Sequence, residues 1–155
     1  MSTITSPLLE SDRKVVGEKL QDALIDLIDL SLLAKQAHWN LIGRNFRSLH
    51  LQLDDIVSVA RKHADRVAER AIAIGVNPDG RARTVADTSR IQQLDSGYLE
   101  DTAVIGAFTD ILASVVARFR ERVEATEKAD PVTQDLLIEA ARDLEQQHWM
   151  IQAQR

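Results

Sequence analysis

The chain is expected to fold as an all-α bundle of four long helices, with a long crossover between the second and third that carries a short helix. Four long segments repeat apolar residues at three- and four-residue steps, the period of a helix with one buried face. Breakers and strand formers are scarce: six glycines, three prolines and 4% aromatic residues in 155. The gap between the second and third segments is long enough to run the length of a bundle, which sets those two helices parallel.

The first segment spans residues 11–40, with Val16, Leu20, Ala23, Leu24, Leu27, Leu30 and Ala34 on its apolar face. Ser11 is the expected N-cap, although Lys14 stands where a capping box would place Glu. Gly43 marks the exit. The second segment spans residues 46–74 and stops at Gly75. Residues 75–99 hold Pro78, Gly80 and Gly97 and read as loop, with a short helix over 84–94. The third segment spans residues 100–129, because the residue before Pro131 is biased away from helix. The fourth begins at Pro131, which suits a first helical turn, and runs almost to Arg155. No repeat or linker divides the chain, so residues 1–155 form one domain, with 1–10 as a flexible N-terminal segment.

Composition excludes several chemistries. With no cysteine there is neither a disulfide nor a thiolate metal site, so any metal must be held by His, Asp and Glu. A formal charge of -5 argues against a protein built chiefly around phosphate. Residues 1–10 lack the basic and apolar regions of a secretory signal. Residues 23–37, taken as the most apolar stretch, are interrupted by Asp26, Asp29 and Lys35 and fall short of the ~20 apolar residues of a span. A soluble, cytoplasmic protein without a membrane partner is expected.

The second helix carries the chemistry. At roughly 100° per residue, His50, Asp54, Asp65 and Glu69 fall near 0°, 40°, 60° and 100° and form one polar stripe. An apolar stripe of Leu49, Leu53, Ile56, Val57, Ala60, Ala64, Val67 and Ala68 lies beside it. At about 1.5 Å rise per residue, the pairs His50/Asp54 and Asp65/Glu69 are centred about 22 Å apart. No single centre bridges that distance, so one chain offers two half-sites. A second copy of the helix, packed antiparallel across a two-fold near Val59 and Ala60, brings each His50/Asp54 pair to the partner's carboxylates. The turn after His38 returns it close to His50. Two imidazoles and three carboxylates without sulfur suit Fe(II), Mn(II) or Zn(II).

The five residues His38, His50, Asp54, Asp65 and Glu69, set in AHWN, LHxxxD and DxxAER, resemble the Dps mini-ferritins of the ferritin-like superfamily. The resemblance covers nearly the whole chain. It implies a ferritin-like bundle and a homo-oligomer, a hollow dodecamer built from two-fold dimers. It also implies a ferroxidase that oxidises Fe(II) with hydrogen peroxide or O2 and stores the ferric mineral, protecting against oxidative stress. In that family the two histidines and the first Asp come from one subunit, the second Asp and the Glu from its mate. Iron, two per site, is the expected metal. Lys35 matches a lysine that reaches the site's Asp, here Asp54, and Trp39 lies beside the site. Asp130 and Asp135 match acids lining an iron-entry pore, which Glu139 would extend.

Plainer readings stand beside these. Lys35 serves equally as an ordinary salt-bridge partner, Trp39 as packing, Asp130 as the N-cap of the last helix, and Asp135 and Glu139 as solvated acids. His63 points away from the polar stripe and is expected to be exposed. Glu145 and His148 form a single Glu-x-x-His motif, where a di-iron bundle needs two, so they read as helix surface. Trp149 reads as a core or interface anchor. The alternative function is a DNA-binding nucleoid protein. Its usual basic arm is missing, since Glu10 and Asp12 cancel Arg13 and Lys14 and no basic tail follows, so DNA binding is not expected.

Overall fold

The computed structural model describes residues 3–155, ordered α1 (Glu10–Asn40), β1 (Leu41–Ile42), α2 (Phe46–Ala73), α3 (Ala82–Thr88), β2 (Leu99–Glu100), α4 (Asp101–Thr126) and α5 (Pro131–Gln152). Every apolar position expected on α1 is buried. On α2, Leu49, Leu53, Ile56, Val57, Ala60 and Val67 are buried, while Ala64 and Ala68 pack half-buried at the core's edge. Phe108 and Phe119 fill the α4 side of the same core.

Paired residues give the directions. His38 meets His50 across the α1–α2 turn, so these helices are antiparallel. Asp26 of α1 meets Arg118 and Arg122 of α4, while β1 pairs with β2 just before α4 begins, so α4 also runs against α1. The helices α2 and α4 are therefore parallel, as the long crossover requires.

Helix ends explain the boundaries. Gly75 (φ +80°) closes α2 with a paired bond set: its N–H donates to the Ile72 carbonyl and that of Val76 donates to the Ala71 carbonyl, each at 2.9 Å. Asp130 caps α5, accepting from Val132 N–H at 3.2 Å ahead of Pro131. Ser11 is not the cap of α1. The helix starts earlier, behind Leu9 and without a side-chain cap; Glu10 and Asp12 in its first turn favour the positive helix end instead. The short helix is also displaced. It occupies 82–88 because Asp79 accepts from Arg81 N–H and Thr84 Oγ1, and it stops where Ser89 turns to bond buried Asp29. Of the N-terminal segment, residues 1 and 2 lie outside the described residues, whereas Ile4 and Ser6 lie against Gly75 and Leu8 packs on the core.

Two further expectations are corrected. The helix most apolar along its length is α4, long and apolar enough to cross a membrane, rather than residues 23–37. It is a core element here: Val104, Ile105, Phe108, Ile111, Leu112, Val115 and Phe119 are buried in the bundle. His63 is fully buried, not exposed. It does point away from the polar stripe, but that direction faces α5, where its Nε2 lies 2.7 Å from Asp143 Oδ2.

That contact is one rung of an α2–α5 seam. Arg66 pairs with Glu139, Lys62 with Glu139 and Asp143, and Arg70 with Asp130 at 2.7 Å. Burial pushes the Asp143 and Asp130 carboxyls up. His63 and Lys62 outweigh it for the first, Arg70 and Thr133 for the second, and both stay below the ordinary range. A carboxyl lowered by folding contributes stability that is complete above its unfolded value, about pH 4, and is lost as pH falls through its folded value. Asp143→Asn is therefore expected to flatten the acid limb of thermal stability below about pH 5. Superimposable acid limbs for variant and wild type would remove Asp143 from the acid response.

Candidate metal centre

The turn between α1 and α2 sets the site. Gly43 sits at φ +130°, and a Cβ there would run into the Asp101 carboxylate. That carboxylate accepts from Asn45 N–H and Thr102 N–H, both at 2.8 Å, and fastens the turn to the start of α4. These hydrogen bonds outweigh partial burial and hold the Asp101 carboxyl below its usual range. The β1–β2 pairing, which nothing in the local sequence announced, reinforces the same junction.

Thus held, His38 and His50 stack face to face, with ring centroids 3.6 Å apart and an interplanar angle of 17°. His38 Nδ1 lies 2.7 Å from the His50 carbonyl oxygen, and His50 Nδ1 lies 2.9 Å from that of His38. A carbonyl only accepts, so each Nδ1 must donate. In the neutral ring this leaves the lone pair on Nε2, the form a divalent metal requires. Phe46 stacks on the other face of His50 at 4.9 Å. The twelve-residue spacing placed the histidines together; the reciprocal clamp depends on backbone geometry and has no sequence signal.

Asp54 lies on the Nδ1 side of His38. Its Oδ1 lies 3.5 Å from His38 Nδ1 and accepts from Lys35 Nζ at 2.5 Å. The Lys35 hydrogen bond is the largest influence on its carboxyl; with the attraction of His38 and His50 it outweighs burial and holds Asp54 below the ordinary range. Asp54 is thus an ionised oxygen donor beside two imidazoles at neutral pH.

Asp65 and Glu69 are not brought to this group. Both are exposed on α2, with no ion pair or hydrogen-bonding side chain among the described residues, and lie about three to four helical turns beyond Asp54. Among the described residues, no three His, Asp or Glu side chains of one chain converge as a metal cage. Trp39, 67% exposed beside His38, and Leu32, 53% exposed two turns earlier, lie on α1.

The other acids divide. Asp130 is 4% exposed and engaged by Val132 N–H, Thr133 and Arg70. Glu139 is held by Arg66, while Asp135 is exposed and has no partner among the described residues. Glu145 pairs with Arg120, consistent with helix surface, and Trp149 is 64% exposed rather than in the core of the chain.

The profile of the ferritin-like domain family matches residues 17–155. The DNA protection during starvation protein 2 of Deinococcus radiodurans is 39% identical over 142 residues, covering 92% of this chain and 59% of that relative. The DNA protection during starvation protein of Mycolicibacterium smegmatis is 35% identical over 157 residues, covering 99% and 84%. Among solved structures, a tetragonal form of Mycobacterium smegmatis Dps superposes with a TM-score of 0.93 at 32% identity, covering 99% of this chain and 94% of the other. The Dps92 protein of Deinococcus radiodurans superposes at 0.90 and 39% identity, covering 92% and 87%. A family profile spanning most of the chain, and a relative at 35% identity matched over 99% of this chain and 84% of its own, make this chain a member of the ferritin-like family, in its Dps branch.

Proposed function

We propose that the chain oxidises ferrous iron at sites completed between two copies, and that a shell of such dimers, a dodecamer in the cytoplasm, stores the ferric product and guards against oxidative stress. One observation carries the reading: two imidazoles with Nδ1 tied to carbonyls beside ionised Asp54, where His50 and Asp54 share a stripe of α2 with Asp65 and Glu69, carboxylates unpaired among the described residues. Fe(II) is the substrate. His38, His50 and Asp54 would bind it from one subunit, with Asp65 and Glu69 of the mate supplying two further negative charges. Two Fe(II) ions give up one electron each, and the pair of electrons cleaves the O–O bond of one peroxide. With two protons, the products are two waters and two Fe(III). Carboxylates favour the product because its higher charge is better balanced by anionic oxygen.

The unpaired Asp135 is the acid best placed to draw Fe(II) electrostatically; Asp130 and Glu139, already engaged by arginine, would contribute less. The relatives are named for DNA protection, but a charge of -5 favours iron handling over phosphate contacts as this chain's own activity.

The experiment is anaerobic Fe(II) loading of the native protein followed by peroxide, with the ferric absorbance recorded. One peroxide should be consumed per two irons, and His38→Ala with His50→Ala should lose the fast phase. Equal rates in both proteins would refute the proposal.

A further inference from the structure

The seam between α1 and α4 holds a cluster that the iron chemistry does not use. Asp26, 2% exposed, accepts from Arg118 Nε and Nη2 at 3.0 and 2.9 Å, and from Arg122 Nη2 at 2.7 Å. A buried guanidinium, Arg122, and a half-buried one, Arg118, against one carboxylate leave an excess of positive charge. The Arg122 side chain is 4% exposed, and its Nη1 has no hydrogen-bond partner among the described residues. A buried donor of this kind is costly unless something satisfies it.

Arg122 also forms part of the wall of a cavity of about 100 Å³. The lining is Lys19, Asp22, Arg90, Arg118, Glu121 and Arg122. All six are charged, four cations against two carboxylates, and with Asp26 behind the arginines the balance is four against three. The Lys19 ammonium has no partner among the described residues, and Arg90 meets Asp22 only at 3.9 Å. An apolar molecule finds no matching surface here, and a cation meets repulsion. A water would satisfy the free N–H yet leave the charge excess.

We infer that this cavity is a binding site for a small oxyanion of the phosphate or sulfate class. Guanidinium groups match such oxygens in charge and in geometry. Burial already depresses the Arg122 pKa, and an adjacent anion would reverse that penalty. The lining comes from α1, from the crossover at Arg90 and from α4, so the anion would tie the crossover to the bundle.

The test uses the iron-free native protein. Equilibrium dialysis against inorganic phosphate at constant ionic strength should retain about one phosphate per chain, with sulfate competing and chloride not. Thermal midpoints should rise with phosphate above those in matched chloride, as binding to the folded state alone requires. Phosphate also stabilises proteins by general exclusion, so the control is Lys19→Gln with Arg90→Gln, partly exposed positions that leave the Asp26 pairs intact. This variant should fold, shown by an unchanged circular dichroism spectrum, and should lose both the retained phosphate and the added rise. Competition by sulfate assigns oxyanions as a class; selective retention of phosphate narrows the site to it. No retention by wild type, an adventitious ion only that chloride displaces equally, or equal retention by the variant would overturn the inference.

Discussion

Subunits carrying His38→Ala and His50→Ala, co-assembled with subunits carrying Asp65→Asn and Glu69→Gln, are expected to regain about a quarter of the wild-type oxidation rate, although neither variant alone shows the fast phase. The arithmetic follows from the two-fold. In a mixed dimer, one site combines both damaged halves and is dead. The other combines the intact histidines of the second subunit with the intact carboxylates of the first. Half the dimers are mixed under random pairing, and half their sites are whole. A site built within one chain predicts no recovery, because every chain then carries a lesion. The substitutions suit the purpose because Asp65 and Glu69 are exposed, and unpaired among the described residues, so their loss removes donors without opening the core. The readout is the initial rate of ferric absorbance after peroxide, per assembled particle. A mixture as inactive as its components would end the shared-site reading.

How much of this was open to sequence follows from the range of each interaction. The four long helices were legible because their apolar period is local and their stops are Gly75 and the pair Asp130/Pro131. The five residues proposed as ligands stand out in the sequence for the same local reason: four share one helix face, and His38 lies one short turn away; the structure brings only His38, His50 and Asp54 near one another. What escaped depends on partners far along the chain. His63 was read as exposed because the residue that receives it, Asp143, is 80 positions away. The short helix was misplaced because its limits come from Asp79, pinned to α1 by Gln21, and from Ser89, pinned by Asp29. Asp26 was read merely as an interruption in an apolar stretch, since its arginines are 92 and 96 residues on. A buried charge looks like a surface charge until its partner is known.

That buried charge leads to the largest stability effect expected in the chain. Asp26→Ala leaves Arg118 and Arg122, whose side chains are 13% and 4% exposed, without the carboxylate they bond. Removing one partner of a buried ion pair costs about 3–5 kcal/mol, because the remaining charge is stranded away from water. The contact of Arg122 with the Phe119 ring, 5.1 Å from guanidinium carbon to centroid, offsets little of this. For a chain of this size the loss corresponds to a fall of roughly 6–20 °C in thermal midpoint. The comparison must hold protein concentration fixed, since assembly adds to apparent stability. Asp26→Asn keeps acceptor geometry for one guanidinium and should lie between alanine and wild type. Replacing all three residues by apolar ones, Asp26→Leu with Arg118→Leu and Arg122→Met, should recover most of the loss, as removing a whole buried pair often does. The order wild type, triple variant, asparagine, alanine distinguishes a stranded charge from a packing defect, which would leave the triple variant the weakest. A midpoint for Asp26→Ala within about 2 °C of wild type would mean that the arginines reach water or another anion when Asp26 is gone.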